Sequence, residues 1–137
     1  MPEYFTRAQA EALLPSLAAC LREMQASRAE LVEAERELHD LHARIASNGH
    51  TPLEELGALP DHIADLSHRL RERATELAES GAIVKDLEMG LLDFPTLRDG
   101  REVYLCWRLG EDHIGWWHEV DSGLAGRQPL EDLEGDA

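Results

Sequence analysis

The sequence predicts an α+β fold, a long antiparallel helical hairpin packed on a three-stranded antiparallel β-sheet. Three observations lead there. Leu17, Met24, Leu31, Leu38 and Ile45 recur every seven residues, the mark of a single apolar helix face. A second series of the same period, Leu56, Ile63, Leu70 and Leu77, follows the helix-ending run Ser47-Asn48-Gly49-His50. Beyond residue 90 the period falls to two, and an Asp99-Gly100 pair sits between alternating segments as a two-residue hairpin turn.

The first helix opens with a capping box, Thr6 and Gln9, with Phe5 where a hydrophobic staple would start. Cys20, Ser27, Ala34 and Leu41 share the heptad face, and the three small ones let a neighbouring helix approach closely. Pro15 removes an interior N–H and is expected to kink or restart the helix after its first turns. The second helix has a start signal at Thr51-Pro52-Leu53-Glu54, and Leu59 and Leu66 join its apolar face. Pro60-Asp61 is placed to divide it into a short turn and a main helix, which ends near Gly81. Two helices with a short connection form an antiparallel hairpin.

Three strands are expected, at 90–95, 103–109 and 114–120, with Pro95 requiring the first to be an edge. The reading is a single domain over 1–130, with the helical hairpin at 6–81, the β-meander at 90–121 and an irregular segment at 122–130. An acidic tail follows at 131–137.

Composition narrows the function. A length of 137 residues suits one core. With 28 acidic residues against 13 Lys plus Arg, the net charge is -15, which repels nucleic-acid backbones and anionic lipid surfaces. Cations and basic protein patches remain as partners. The longest apolar run, 12–21, is too short to span a bilayer, and the opening residues lack a signal-peptide pattern. Cys20 and Cys106 stand far apart without a CxxC, as expected of reduced thiols in a cytoplasmic protein.

All three tryptophans, Trp107, Trp116 and Trp117, fall in LCWRLGEDHIGWWHEVDSG, among Cys106, Glu111, His113, His118 and Glu119. Strand register decides which of these meet. A turn centred on Asp99-Gly100 sets Phe94 opposite Leu105, Asp93 opposite Cys106 and Leu92 opposite Trp107. A second turn centred on Glu111-Asp112 sets Leu105 opposite His118, Cys106 opposite Trp117 and Trp107 opposite Trp116. One face then carries Leu92, Phe94, Leu105, Trp107, Trp116 and His118, and would cover the helices. The other carries Asp93, Tyr104, Cys106, Arg108, Trp117 and Glu119.

In this register His118 is a hydrogen-bonded core histidine, and it cannot share an ion with Asp93 unless one hairpin slips by a residue. Trp117 ringed by polar groups has the composition of a binding surface, unless Leu124, Pro129 or the tail folds back over it. Glu111 and His113 lie in a turn. Cys106 reads as an inert thiol rather than a nucleophile. The helix groups Glu35, His39 and His42, and His62, Asp65, His68 and Glu72, flank Leu/Ile stripes and read as solvated faces. No Gly-rich phosphate loop, HExxH, GxSxG or paired CxxC is present.

The pattern KDLExGLxDFP, then LCWRLGE, WHE and GxxGRxPL across 84–130, with FTRAQAEALLPSL near the start, resembles the prokaryotic family catalogued as domain of unknown function 2203. The likeness covers nearly the whole chain. It implies no particular reaction but singles out Lys85, Asp93, Cys106, Trp107, Glu111, His118 and Arg127. The polar members Lys85, Asp93, Glu111 and Arg127 are not needed for a core, which points to a site near the sheet.

The function expected first is a non-catalytic binding or assembly module, a homodimer or the partner of another protein. Its contact surface would be Asp93, Tyr104, Cys106, Trp117 and Glu119, with Lys85 and Arg127. The alternative is a metal-binding protein or metal-dependent enzyme. His118 and Glu111 would then hold a transition metal such as zinc or iron, joined by Cys106 and Asp93 through a register slip or a second chain. The side of the sheet on which His118 lies separates the two.

Overall fold

The structure, a computed structural model, describes residues 4–48 and 56–130. The expected helix start at Thr51-Pro52-Leu53-Glu54 and the acidic tail at 131–137 lie outside the described residues. The fold is α+β. Helices α1 (Arg7–Asn48) and α2 (Leu59–Glu79) precede a five-stranded antiparallel sheet, where three strands were expected. No helix among the described residues is long and apolar enough to cross a membrane.

The chain divides into two compact units, Arg22–Ala74 and Met1–Leu21 with Thr75–Ala137. The sheet's unit therefore includes only the two ends of the hairpin. In Arg22–Ala74, Leu31 and Ala34 of α1 pack with Leu66 of α2, joined by Leu59, Ile63 and Leu70. Arg73 Nη1 lies 3.3 Å from Glu23 Oε2. Residue numbers rise along one helix as they fall along the other, so the pair is antiparallel, and the small Ala34 sits at the contact as expected.

In the second unit the capping box closes in both directions. Thr6 N–H donates to Gln9 Oε1 at 3.0 Å and Gln9 N–H to Thr6 Oγ1 at 3.1 Å. Pro15 does not interrupt α1. It faces solvent while Leu14 and Leu17 beside it are buried, so packing holds the turns that lose one backbone bond.

The strands β1 (Ile83–Asp86), β2 (Leu91–Arg98), β3 (Arg101–Arg108), β4 (Trp116–Glu119) and β5 (Gln128–Pro129) pair in sequence order. β2 and β3 take the expected register, with Asp93 opposite Cys106 and Phe94 opposite Leu105. Pro95 is tolerated because β1 reaches only as far as Asp93; beyond it the Pro95 carbonyl accepts the Phe5 N–H at 2.8 Å. The Phe5 ring meets Phe94 edge-on, and Thr96 Oγ1 donates to the Phe5 carbonyl at 2.7 Å. The start of α1 thus lies on the Phe94 face.

The β3–β4 register departs from expectation by one residue. Leu105 is opposite Trp117, Tyr104 opposite His118 and Cys106 opposite Trp116. The turn centres on Glu111 itself, not between Glu111 and Asp112, and Gly110 at φ +107° supplies the odd residue. Trp107 Nε1–H donates to the Glu111 carbonyl at 3.0 Å, and Ile114 N–H to Glu11 Oε2 of α1 at 2.9 Å, which draws Ile114 out of the strand. This slip exchanges the faces of every β4 side chain.

Candidate metal centre

The slip brings His118 to the face that carries Asp93 and Cys106. The three side chains come from β4, β2 and β3, with exposures of 3%, 0% and 0%, and one ligand atom from each lies within 4.8 Å of the other two. His118 Nδ1 lies 2.7 Å from the carbonyl oxygen of Glu119, which can only accept, so Nδ1 carries a proton and donates. Nε2 lies 3.0 and 2.9 Å from the two oxygens of Asp93. A neutral imidazole has no second N–H. Nε2 therefore presents a lone pair to a carboxylate unless a cation, a second proton or a metal ion, fills the gap.

Burial pushes the Cys106 thiol up to about 11; the Arg127 guanidinium works against this and the Asp93 carboxylate reinforces it. No ring nitrogen of His118 is left to take the thiol proton, since one is given to Glu119 and the other to Asp93. The arrangement is thus ill suited to a Cys–His nucleophile. It suits ligation, because a bound metal displaces the thiol proton and the Nδ1–H bond to a backbone carbonyl is the usual way to fix a ligating imidazole.

Three of the other positions that the family pattern singles out, Lys85, Glu111 and Arg127, lie on this side of the sheet or at its rim, while Trp107 belongs to the opposite face. Lys85 stands at a bulge in β1, where Val84 and Asp86 face consecutive residues of β2, and its Nζ lies 5.2 Å from the centre of the Tyr104 ring. That ring meets His118 with centroids 5.5 Å apart. The C-terminal segment folds back as β5, with Trp116 opposite Pro129. Arg127 stacks on Trp116 at 4.9 Å and its Nη2 donates to both oxygens of Glu111, at 3.0 and 3.2 Å.

Several expectations are corrected. Glu111 is not in the ligand cluster: its Oε1 accepts the Arg108 N–H at 2.7 Å and its carboxylate anchors Arg127. Trp117 is 1% exposed on the Phe94 face, with the Arg98 guanidinium 4.5 Å from its ring, so it offers no outer contact surface. Glu119 shares that face and pairs with Arg101 at 2.7 Å. The returning chain pairs along the edge of β4 and sets the Arg127 guanidinium over Trp116, while Leu124 stays exposed. Trp116, placed in the core from sequence, instead supports Arg127. An odd-length turn with a glycine at its second position was the signal that could have shown this.

His39, His42 and His62 are exposed, as expected, and His68 bridges to Glu72 at 3.3 Å on an exposed helix face. Among the described residues, Asp93, Cys106 and His118 form the group able to hold a metal ion. Neither a curated protein nor a solved structure matches the chain. A family model described as "Uncharacterized conserved protein (DUF2203)" matches residues 3–130, and the chain belongs to that family.

Proposed function

We propose that this is a metalloprotein that holds one divalent transition-metal ion, of the zinc type, between Asp93, Cys106 and His118. The observation that carries the reading is His118 itself, buried between two groups that only accept hydrogen bonds. A carboxylate oxygen, an imidazole nitrogen and a thiolate sulfur are together a borderline-soft set, matched to zinc, iron(II) or cobalt(II) and ill matched to magnesium or calcium. Two such ligands about 2.0–2.1 Å from a tetrahedral ion stand about 3.3 Å apart. The 2.9 Å between Nε2 and Asp93 would then open by about 0.4 Å, within the reach of side-chain adjustment.

Native mass spectrometry of protein purified without a metal-affinity tag tests this directly. One metal ion per chain is expected in the wild type and none in His118→Ala. Protein that carries no metal and gains no stability from added zinc would reject the reading. The same spectrum counts subunits. The binding-module reading relied on an outward Trp117, and the burial of that side chain removes its main support.

A further inference from the structure

Resting on the metal reading above, we infer that the fourth coordination position takes a small monoanionic carboxylate, held at its other end by Arg127. Three protein ligands leave a zinc-type ion one position open, as in catalytic sites. Asp93 and a Cys106 thiolate already neutralise a divalent ion, so the further attraction for an anion comes from the guanidinium beside them.

Arg127 is set up for that role. It stacks on Trp116, the cross-strand partner of Cys106, which places it beside the metal cluster and not merely on the same face. Trp116 holds its plane and Glu111 holds Nη2. Nε, by contrast, is shielded from solvent and has no hydrogen-bond partner. A buried donor left without an acceptor is costly, and an acceptor arriving with a ligand removes the cost. A carboxylate bound to the metal through one oxygen keeps the second free to accept the Nε–H in a charge-assisted hydrogen bond. Glu111 on the same guanidinium disfavours a second negative charge, which selects a monoanionic carboxylate over a phosphate dianion. Arg127 and Glu111 are also the partly exposed members, at 15% and 29%, so a ligand reaches the buried cluster from their side.

Cobalt(II) loaded into the full-length chain separates the two ideas. A thiolate-to-cobalt charge-transfer band that Cys106→Ser abolishes reports the metal reading alone. The d–d bands report the fourth position. Titration with acetate is expected to shift the d–d bands saturably, with phosphate or chloride weaker by about tenfold or more. Arg127→Lys and Arg127→Gln should keep the charge-transfer band, which shows that the site is folded, yet bind acetate at least about tenfold more weakly. A charge-transfer band with d–d bands indifferent to acetate would overturn the carboxylate proposal and leave the metal reading standing. So would an acetate response that Arg127→Gln leaves unchanged, or one no stronger than phosphate's. Absence of the charge-transfer band would remove both.

Discussion

Cys106 shows most directly how a residue type acquires its chemistry from its surroundings. Its thiol is fully buried, and the folded chain holds the proton up to about pH 11 against an ordinary 9.0. In metal-free protein, iodoacetamide at pH 8 is therefore expected to leave Cys106 unmodified for hours, while both cysteines react on unfolding. The same shift makes a stability statement. Between pH 9 and 11 the unfolded chain gives up a proton that the folded chain keeps, so stability is whole below about 9 and falls as pH rises toward 11. Burial, then the charges of Glu102 and Asp93, raises Tyr104 in the same direction, so the decline continues above pH 10. Denaturant melts of metal-free wild type and Cys106→Ala across pH 8–11 check this. The mutant should lose the part of the slope that begins near pH 9.

At the scale of elements, the outcome turned on one residue in one turn. The heptads, the capping box and the Asp99-Gly100 hairpin were legible because each is a local pattern tied to a fixed geometry: a helix period, a reciprocal pair of hydrogen bonds, and a two-residue turn with Asp99 at φ +52° and Gly100 at φ +77°. The β2–β3 register followed from that turn. The β3–β4 register did not, because contacts distant in sequence decide the parity of the second turn, above all Glu11 of α1 taking the Ile114 N–H. β1 and β5, of four and two residues, are too short to show a period. The sequence therefore showed the members of the site but sent His118 and Trp117 to each other's face. The observed register makes Trp117→Ala a core truncation, expected to cost about 3–5 kcal/mol of folding stability. An outward Trp117 would have cost little. Gly90 tests the β2 end of the same sheet. It sits at φ +69°, and a Cβ there would lie 2.5 Å from Leu109 Cβ, next to the bond from Leu109 N–H to the Gly90 carbonyl. Gly90→Ala is accordingly expected to cost about 1–3 kcal/mol through strain alone, with the clash added. Denaturant midpoints of both variants decide the matter.

For the whole molecule, the two units differ in what holds them. Among the described residues, the buried apolar side chains of Arg22–Ala74 are Met24, Leu31, Ala34, Leu41 and Leu66. Every other one belongs to the sheet's unit, among them Phe94, Trp107 and Trp117. Opening free energy follows buried apolar contact, so backbone amides of Arg22–Ala74 are expected to exchange with solvent faster than those of β2 and β3. A metal ion held by β2, β3 and β4 should sharpen that contrast, because it binds only the folded sheet. Free zinc at 100 times its dissociation constant stabilises the binding state by about 2.7 kcal/mol, which slows exchange through its opening by about a hundredfold. Hydrogen exchange with and without zinc should show that slowing across β2, β3 and β4 and little change between Arg22 and Ala74. Equal slowing in both units would mean that they open together despite their unequal cores. No slowing in the sheet would place the ion elsewhere, and Asp93, Cys106 and His118 would then be a buried polar cluster that holds no metal.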